Sequence, residues 1–166
     1  MTRDRDPAGR PRNARPRDGL GRPLDRSAGT AASAADRIPD DLVISGNEAA
    51  VLADQLLHDG RPFHAHEVLE AAWKNRPDCE RMLWQGLAQL AVGITHVQRG
   101  NVKGAISLLR RASNRLAHHD RPAPYAIDAA SLVNYADALI DDLAAAAEIT
   151  PKRLRPRLVS SDPNGP

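Results

Sequence analysis

At 100° per residue, Phe63, His66, Glu67 and Glu70 fall within about 100° of one another on a helix, with Trp73 beside His66. An imidazole and a carboxylate four residues apart, as His66 and Glu70 are, can share a proton, form an ion pair or offer two ligands to one metal ion. Downstream, Gln85, Gln89, Val92 and His96 form one line on a second, otherwise apolar segment, with Gly86 and Gly93 running alongside. Imidazoles, carboxylates and carboxamides are costly to bury without partners. Two such stripes therefore predict one shared polar cleft, walled by Phe63 and Trp73.

Three chemistries fit that cleft. In the first, Glu67 or Glu70 accepts hydrogen bonds from His66, His96 or the glutamines, the network fixes helix register, and the domain serves as a helical interaction scaffold whose polar cluster is structural. In the second, His66, Glu67, Glu70, Trp73, Gln85, Gln89 and His96 bind a small polar molecule or a protein partner. In the third, a metal-dependent hydrolase-like site takes His66, Glu70 and His96 as metal ligands, with Glu67 or Glu70 as general base. No cofactor is required by these residues, and a divalent metal is the one the third reading admits.

Several motifs are missing. His66-Glu67-Val68-Leu69-Glu70 is not H-E-x-x-H, because Glu70 stands where the second histidine belongs. No Glu-x-x-His pair exists for a di-iron bundle, and Cys79 alone cannot build a cysteine zinc cage. Glycine-rich phosphate loops, nucleophile elbows and dinucleotide fingerprints are likewise missing from the sequence. His64 points away from His66 on a helix, and His118, His119 and Asp120 read as a helix C-terminus. Arg110, Arg111 and Arg115 could bind an anion but read first as a solvated face, and Trp84 reads as packing rather than a binding platform.

The elements that must position the stripes are helical. Ser45 with Glu48 forms a capping box that opens a helix over about residues 46–58. Asp59-Gly60 ends it, and Pro62 suits the first turn of the next, which runs to about Asn75. Asp78 caps a long third helix to Arg99, Gly100-Asn101 turns the chain, and a fourth spans Val102 to about His118. After Pro122 and Pro124, a fifth covers about Asp128 to Glu148. No run alternates as a strand does. The expectation is an all-α domain at residues 41–150, about five helices packed as antiparallel hairpins.

A faint repeat supports the hairpin reading. Gly60-Arg-Pro-Phe-His-Ala65 aligns with Gly100-Asn-Val-Lys-Gly-Ala105, 40 residues apart. That period is not the tetratricopeptide one, and only two copies exist. The comparison still sets a contrast: Ile106 occupies the place of His66, and Arg110 that of Glu70.

The ends differ in composition. Residues 1–40 hold nine Arg and six Asp, and residues 151–166 hold four basic groups and Asp162, so each end carries +3. The total is +2, which leaves −4 for residues 41–150. Both ends read as disordered basic extensions. The acidic middle argues against nucleic-acid binding by the folded domain, which needs clustered Lys and Arg. No stretch approaches the roughly 18 apolar residues of a membrane span, and no apolar leader opens the chain. A single cysteine suits a reducing compartment. The expectation is a soluble cytoplasmic protein, with the Ala- and Leu-rich residues 129–147 available for homo-oligomer contacts.

Together these residues resemble the bacterial and archaeal family named domain of unknown function 309. The resemblance covers about residues 46–118. It rests on Phe63-His-Ala-His66-Glu67-Val-Leu-Glu70-Ala-Ala-Trp73, Gln85-Gly86-Leu-Ala-Gln89-Leu-Ala, His96, and Arg99-Gly100-Asn101 with Gly104-Ala105. It implies a small all-helical protein and carries over His66, Glu67, Glu70, Trp73, Gln85, Gln89 and His96 as the shared positions. It implies no activity.

Overall fold

Short polar punctuation divides the chain into helices. In a computed structural model, which describes residues 18, 20, 22, 38–39, 41–119 and 123–160, α1 spans Gly46–His58 behind a complete Ser45/Glu48 capping box. The Ser45 hydroxyl accepts the Glu48 N–H at 3.2 Å, and the Glu48 carboxylate accepts the Ser45 N–H at 3.0 Å. α2 spans Pro62–Trp73 with proline in its first turn. A 3-10 turn at Asp78–Glu80 precedes α3, Arg81–Gln98. The expected Asp78 cap is absent because those residues coil more tightly first. α4 spans Val102–His118, where Asn101 accepts the Gly104 N–H, and α5 spans Ala129–Ala144 behind an Asp128 cap. Among the described residues the architecture is all-α, as the periodicity predicts.

Each helix packs on its neighbours in chain order, α1 on α2, α2 on α3, α3 on α4 and α4 on α5. Short turns make α1 through α4 successive antiparallel hairpins. Two of the turns are built alike. At the end of α1, Gly60 takes φ +73°, its N–H bonds Leu57 O, and the Arg61 N–H bonds Leu56 O. At the end of α3, Gly100 takes φ +74°, its N–H bonds Val97 O, and the Asn101 N–H bonds His96 O. This is the glycine-ended helix stop that L residues resist. The 40-residue echo is therefore a repeated turn.

α3 is the central element. Leu83, Trp84, Leu87, Leu90, Ala91 and Ile94 are fully or almost fully buried. Gly86 and Gly93 face α4, where an added Cβ would lie 3.0 Å from Leu116 Cγ and 2.9 Å from Leu109 Cγ respectively. The small residues thus set the close approach of α3 and α4. On α5, Leu132, Ala136, Leu139 and Leu143 are buried within the domain itself.

One expectation needs correction. Residues 151–166 read as a disordered tail, yet Pro151–Leu154 forms a 3-10 turn, and Leu154 and Leu158 are buried. The Leu158 and Val159 N–H groups donate to the buried Asp54 carboxylate on α1, at 2.6 and 3.4 Å. Val159 forms an antiparallel bridge with Ile127, and the Tyr135 hydroxyl donates to Arg153 O at 2.8 Å. Leu154 and Leu158 are the reason: an apolar pair among arginines escapes an average over composition. The packed domain therefore reaches Ser160. Residues 161–166 lie outside the described residues, as does almost all of the expected arm at residues 1–40.

Candidate functional site

A cavity of about 210 Å³ opens over α3. α3 forms its floor with Trp84, Gln85, Ala88, Gln89 and Val92. α2 contributes His66, Glu70 and Trp73 to one wall, and α4 contributes Arg115 to the other. The α2 and α3 stripes expected to meet do meet, through His66, Glu70, Trp73, Gln85 and Gln89.

The local chemistry begins with His66. Its Nε2 lies 3.3 Å from the Glu70 carboxylate, one helical turn on. A contact to a carboxylate oxygen places a proton on Nε2. This hydrogen bond from His66 holds the Glu70 pKa below the ordinary carboxyl value, against the raising effect of burial. The opposite ring nitrogen, Nδ1, is buried without a hydrogen-bond partner, and so is the Gln89 Oε1. Phe63 packs beside the His66 ring at 6.0 Å between centroids. It backs the imidazole, and the cavity's aromatic lining is Trp73 on the wall and Trp84 in the floor.

On the floor, Trp84 is fully buried and its indole N–H donates to Glu80 at 2.9 Å. The Tyr125 hydroxyl donates to the same carboxylate at 2.9 Å, and its ring packs 5.8 Å from Trp84. Tyr125 holds φ +61°, a conformation costly for a side chain with a Cβ. Glu80 therefore anchors both rings. At the far rim, the Arg115 guanidinium donates to Gln85 Oε1 at 2.5 Å.

Two expected members stand elsewhere. Glu67 does not line the cavity. His96 does not either: its Nδ1 lies 2.9 Å from the Asn101 side-chain amide, which caps α4. Burial, then the neighbouring Arg99, lowers the His96 pKa. A helical wheel aligns His96 with Gln85 in angle, but eleven residues of rise separate them by roughly 16 Å. No three His, Cys, Asp or Glu side chains among the described residues converge as a metal ion requires.

The sequence reads Arg115 as a solvated face or an anion site and Trp84 as packing; Trp84 is fully buried beneath the cavity, and Arg115 lines it. The missed signal is Gly86 beside Gln85. A helix seated on that glycine brings its own side chain over the glutamine, and an added Gly86 Cβ would lie 3.2 Å from Arg115 Cβ.

Residues 52–108 match the family model described as Domain of unknown function (DUF309), so the resemblance read from the sequence holds over that segment. It contains His66, Glu70, Trp73, Gln85 and Gln89, whereas Arg115 lies beyond it. The chain is also similar to the uncharacterized protein YpuF of Bacillus subtilis (strain 168), 44% identical over 48 residues. That match covers 28% of this chain and 28% of YpuF, so the chain spans under a third of that curated relative's length. No solved structure matches.

Proposed function

We propose that the cavity between α2, α3 and α4 is the binding site of a small polar molecule. The observation that supports this reading is the convergence of His66, Glu70, Gln85, Gln89 and Arg115 with two tryptophans on one cavity. His66 and Gln89 each also carry a buried atom without a partner, at a cost of about 1–3 kcal/mol, as Arg76, Gln98 and His119 do elsewhere in the fold. Aromatic walls and a few convergent polar groups are what such a site needs.

The hydrolase alternative requires a third metal ligand beside His66 and Glu70. His96, the residue assigned to it, stands with Asn101 outside the cavity. A reducing, cytoplasmic setting agrees with the free, exposed Cys79. No helix among the described residues is long and apolar enough to cross a membrane.

Gln89→Leu tests the reading. Both tryptophans of the chain line the cavity, so intrinsic fluorescence reports on its occupancy. Screened against small polar metabolites, the wild type is expected to give a saturable fluorescence change. The leucine variant loses that change, while its stability holds or rises by about 1 kcal/mol because an unsatisfied polar group has been removed. Saturable binding untouched by Gln89→Leu, or none at all, would sink the assignment.

A further inference from the structure

The two walls of the cavity carry opposite charge. Glu70 stands on α2, beside His66, whose hydrogen bond favours its ionised form. Arg115 stands on α4 and spends one donor on Gln85. Among the described residues no carboxylate pairs with its guanidinium, which leaves further N–H donors unused. The two helices flank α3, and helices pack about 8–10 Å apart axis to axis. A carboxylate and a guanidinium held across one floor, unpaired with each other, complement a molecule bearing both charges.

The acceptors cluster on the Glu70 side. The Glu70 carboxylate, half exposed, presents Oε2 beside the Oε1 that takes the His66 contact, and the Gln89 and His66 side chains lie next to it. An ammonium group has three N–H donors to offer that set. The Arg115 fork suits a carboxylate, which it can grip with two parallel bonds. An engineered cavity of about 150 Å³ takes up benzene, so about 210 Å³ suits one small molecule on the scale of a single amino acid. A dicarboxylate would place a like charge against Glu70, and a diamine would do so against Arg115.

From this charge arrangement we infer that the cavity takes a small zwitterion of amino-acid type, its ammonium on the His66/Glu70/Gln89 side and its carboxylate on Arg115. The inference rests on the cavity being a ligand site. It adds a demand that the site alone does not make, namely that both charges be recognised.

The test titrates full-length protein, by tryptophan fluorescence and thermal shift, with the protein amino acids and short ω-amino acids. Parallel titrations use their methyl esters, their N-acetyl derivatives, alkyl dicarboxylates, diamines and polyols. The expected result is saturable binding of one or more free zwitterions. Esterification or acetylation should each weaken it about tenfold or more, as should Arg115→Gln and Glu70→Gln. The ligand series carries the test even if a variant folds poorly. Tight binding of an ester, a diamine, a dicarboxylate or a polyol in place of the zwitterions overturns this inference and leaves the ligand site standing. If no probe of any class binds, both fall.

Discussion

Arg115 and Gln85 join α4 to α3 at the cavity rim, the guanidinium donating to the amide oxygen at 2.5 Å. The bond lies beside Gly86, where α4 packs closely on α3. Arg115 is only partly buried, so solvent screening limits its worth. A double-mutant cycle with Gln85→Leu and Arg115→Met is expected to give a coupling of about 1 kcal/mol by urea unfolding. A coupling of zero would mean that the guanidinium is not held there in solution.

Glu70 and His66 set an acid response. The folded-state pKa of Glu70 is lowered, first by the hydrogen bond from His66. The associated stability is present above the ordinary value of 4.5 and is lost as pH falls through the lowered one. In His66→Ala the Glu70 carboxyl should titrate closer to its ordinary value, and the acid loss of stability traced to it should flatten. Carboxyl-carbon NMR titration of both proteins checks this. An unchanged Glu70 midpoint would contradict the His66 contact.

Two glycines separate crowding from backbone strain. A Cβ at Gly93 would stand 2.9 Å from Leu109, so Gly93→Ala should cost about 1–3 kcal/mol through forced repacking of α3 on α4. Gly100 has open space around it but φ +74°, and Gly100→Ala should cost about 1–2 kcal/mol through conformation alone. Shortening Leu109 to alanine should relieve the first and not the second. Thermal melts of the single and double variants distinguish the two causes.

The segment after Pro151 should behave as part of the domain. Removing residues 151–166 exposes the surfaces that Leu154 and Leu158 cover and leaves Asp54 without its two backbone donors. At about 1.5–3 kcal/mol for each buried leucine, the truncation should lose about 3–6 kcal/mol. Asp54→Ala alone should lose about 1–3 kcal/mol. Urea unfolding measures both. A truncated protein as stable as the whole would show that this segment contributes nothing.

The helices were legible because their ends carry local chemistry: Ser45 with Glu48, Gly60 before Pro62, and Gly100 before Asn101 each act within a few residues. The α2 and α3 stripes were legible for the same reason, since periodicity reports which groups share a face. Height along the axis is not visible in a periodic pattern, and His96 shows the result. Partners delivered by a third helix are not visible either. Arg115 reaches the cavity through packing decided at Gly86, and Leu158 reaches α1 across 104 residues from Asp54. Such contacts depend on the whole topology, and no local rule yields them.

The Asp54–Leu158 bond also sets an order of events during synthesis. Asp54 lies on the first helix and leaves the ribosome about 100 residues before its partner. At about 5–20 residues per second that interval is on the order of 5–20 s. Throughout it, α1 through α4 can collapse locally, yet a carboxylate destined for burial still faces water. The nascent domain therefore stays open along one seam until the segment carrying Leu158 emerges.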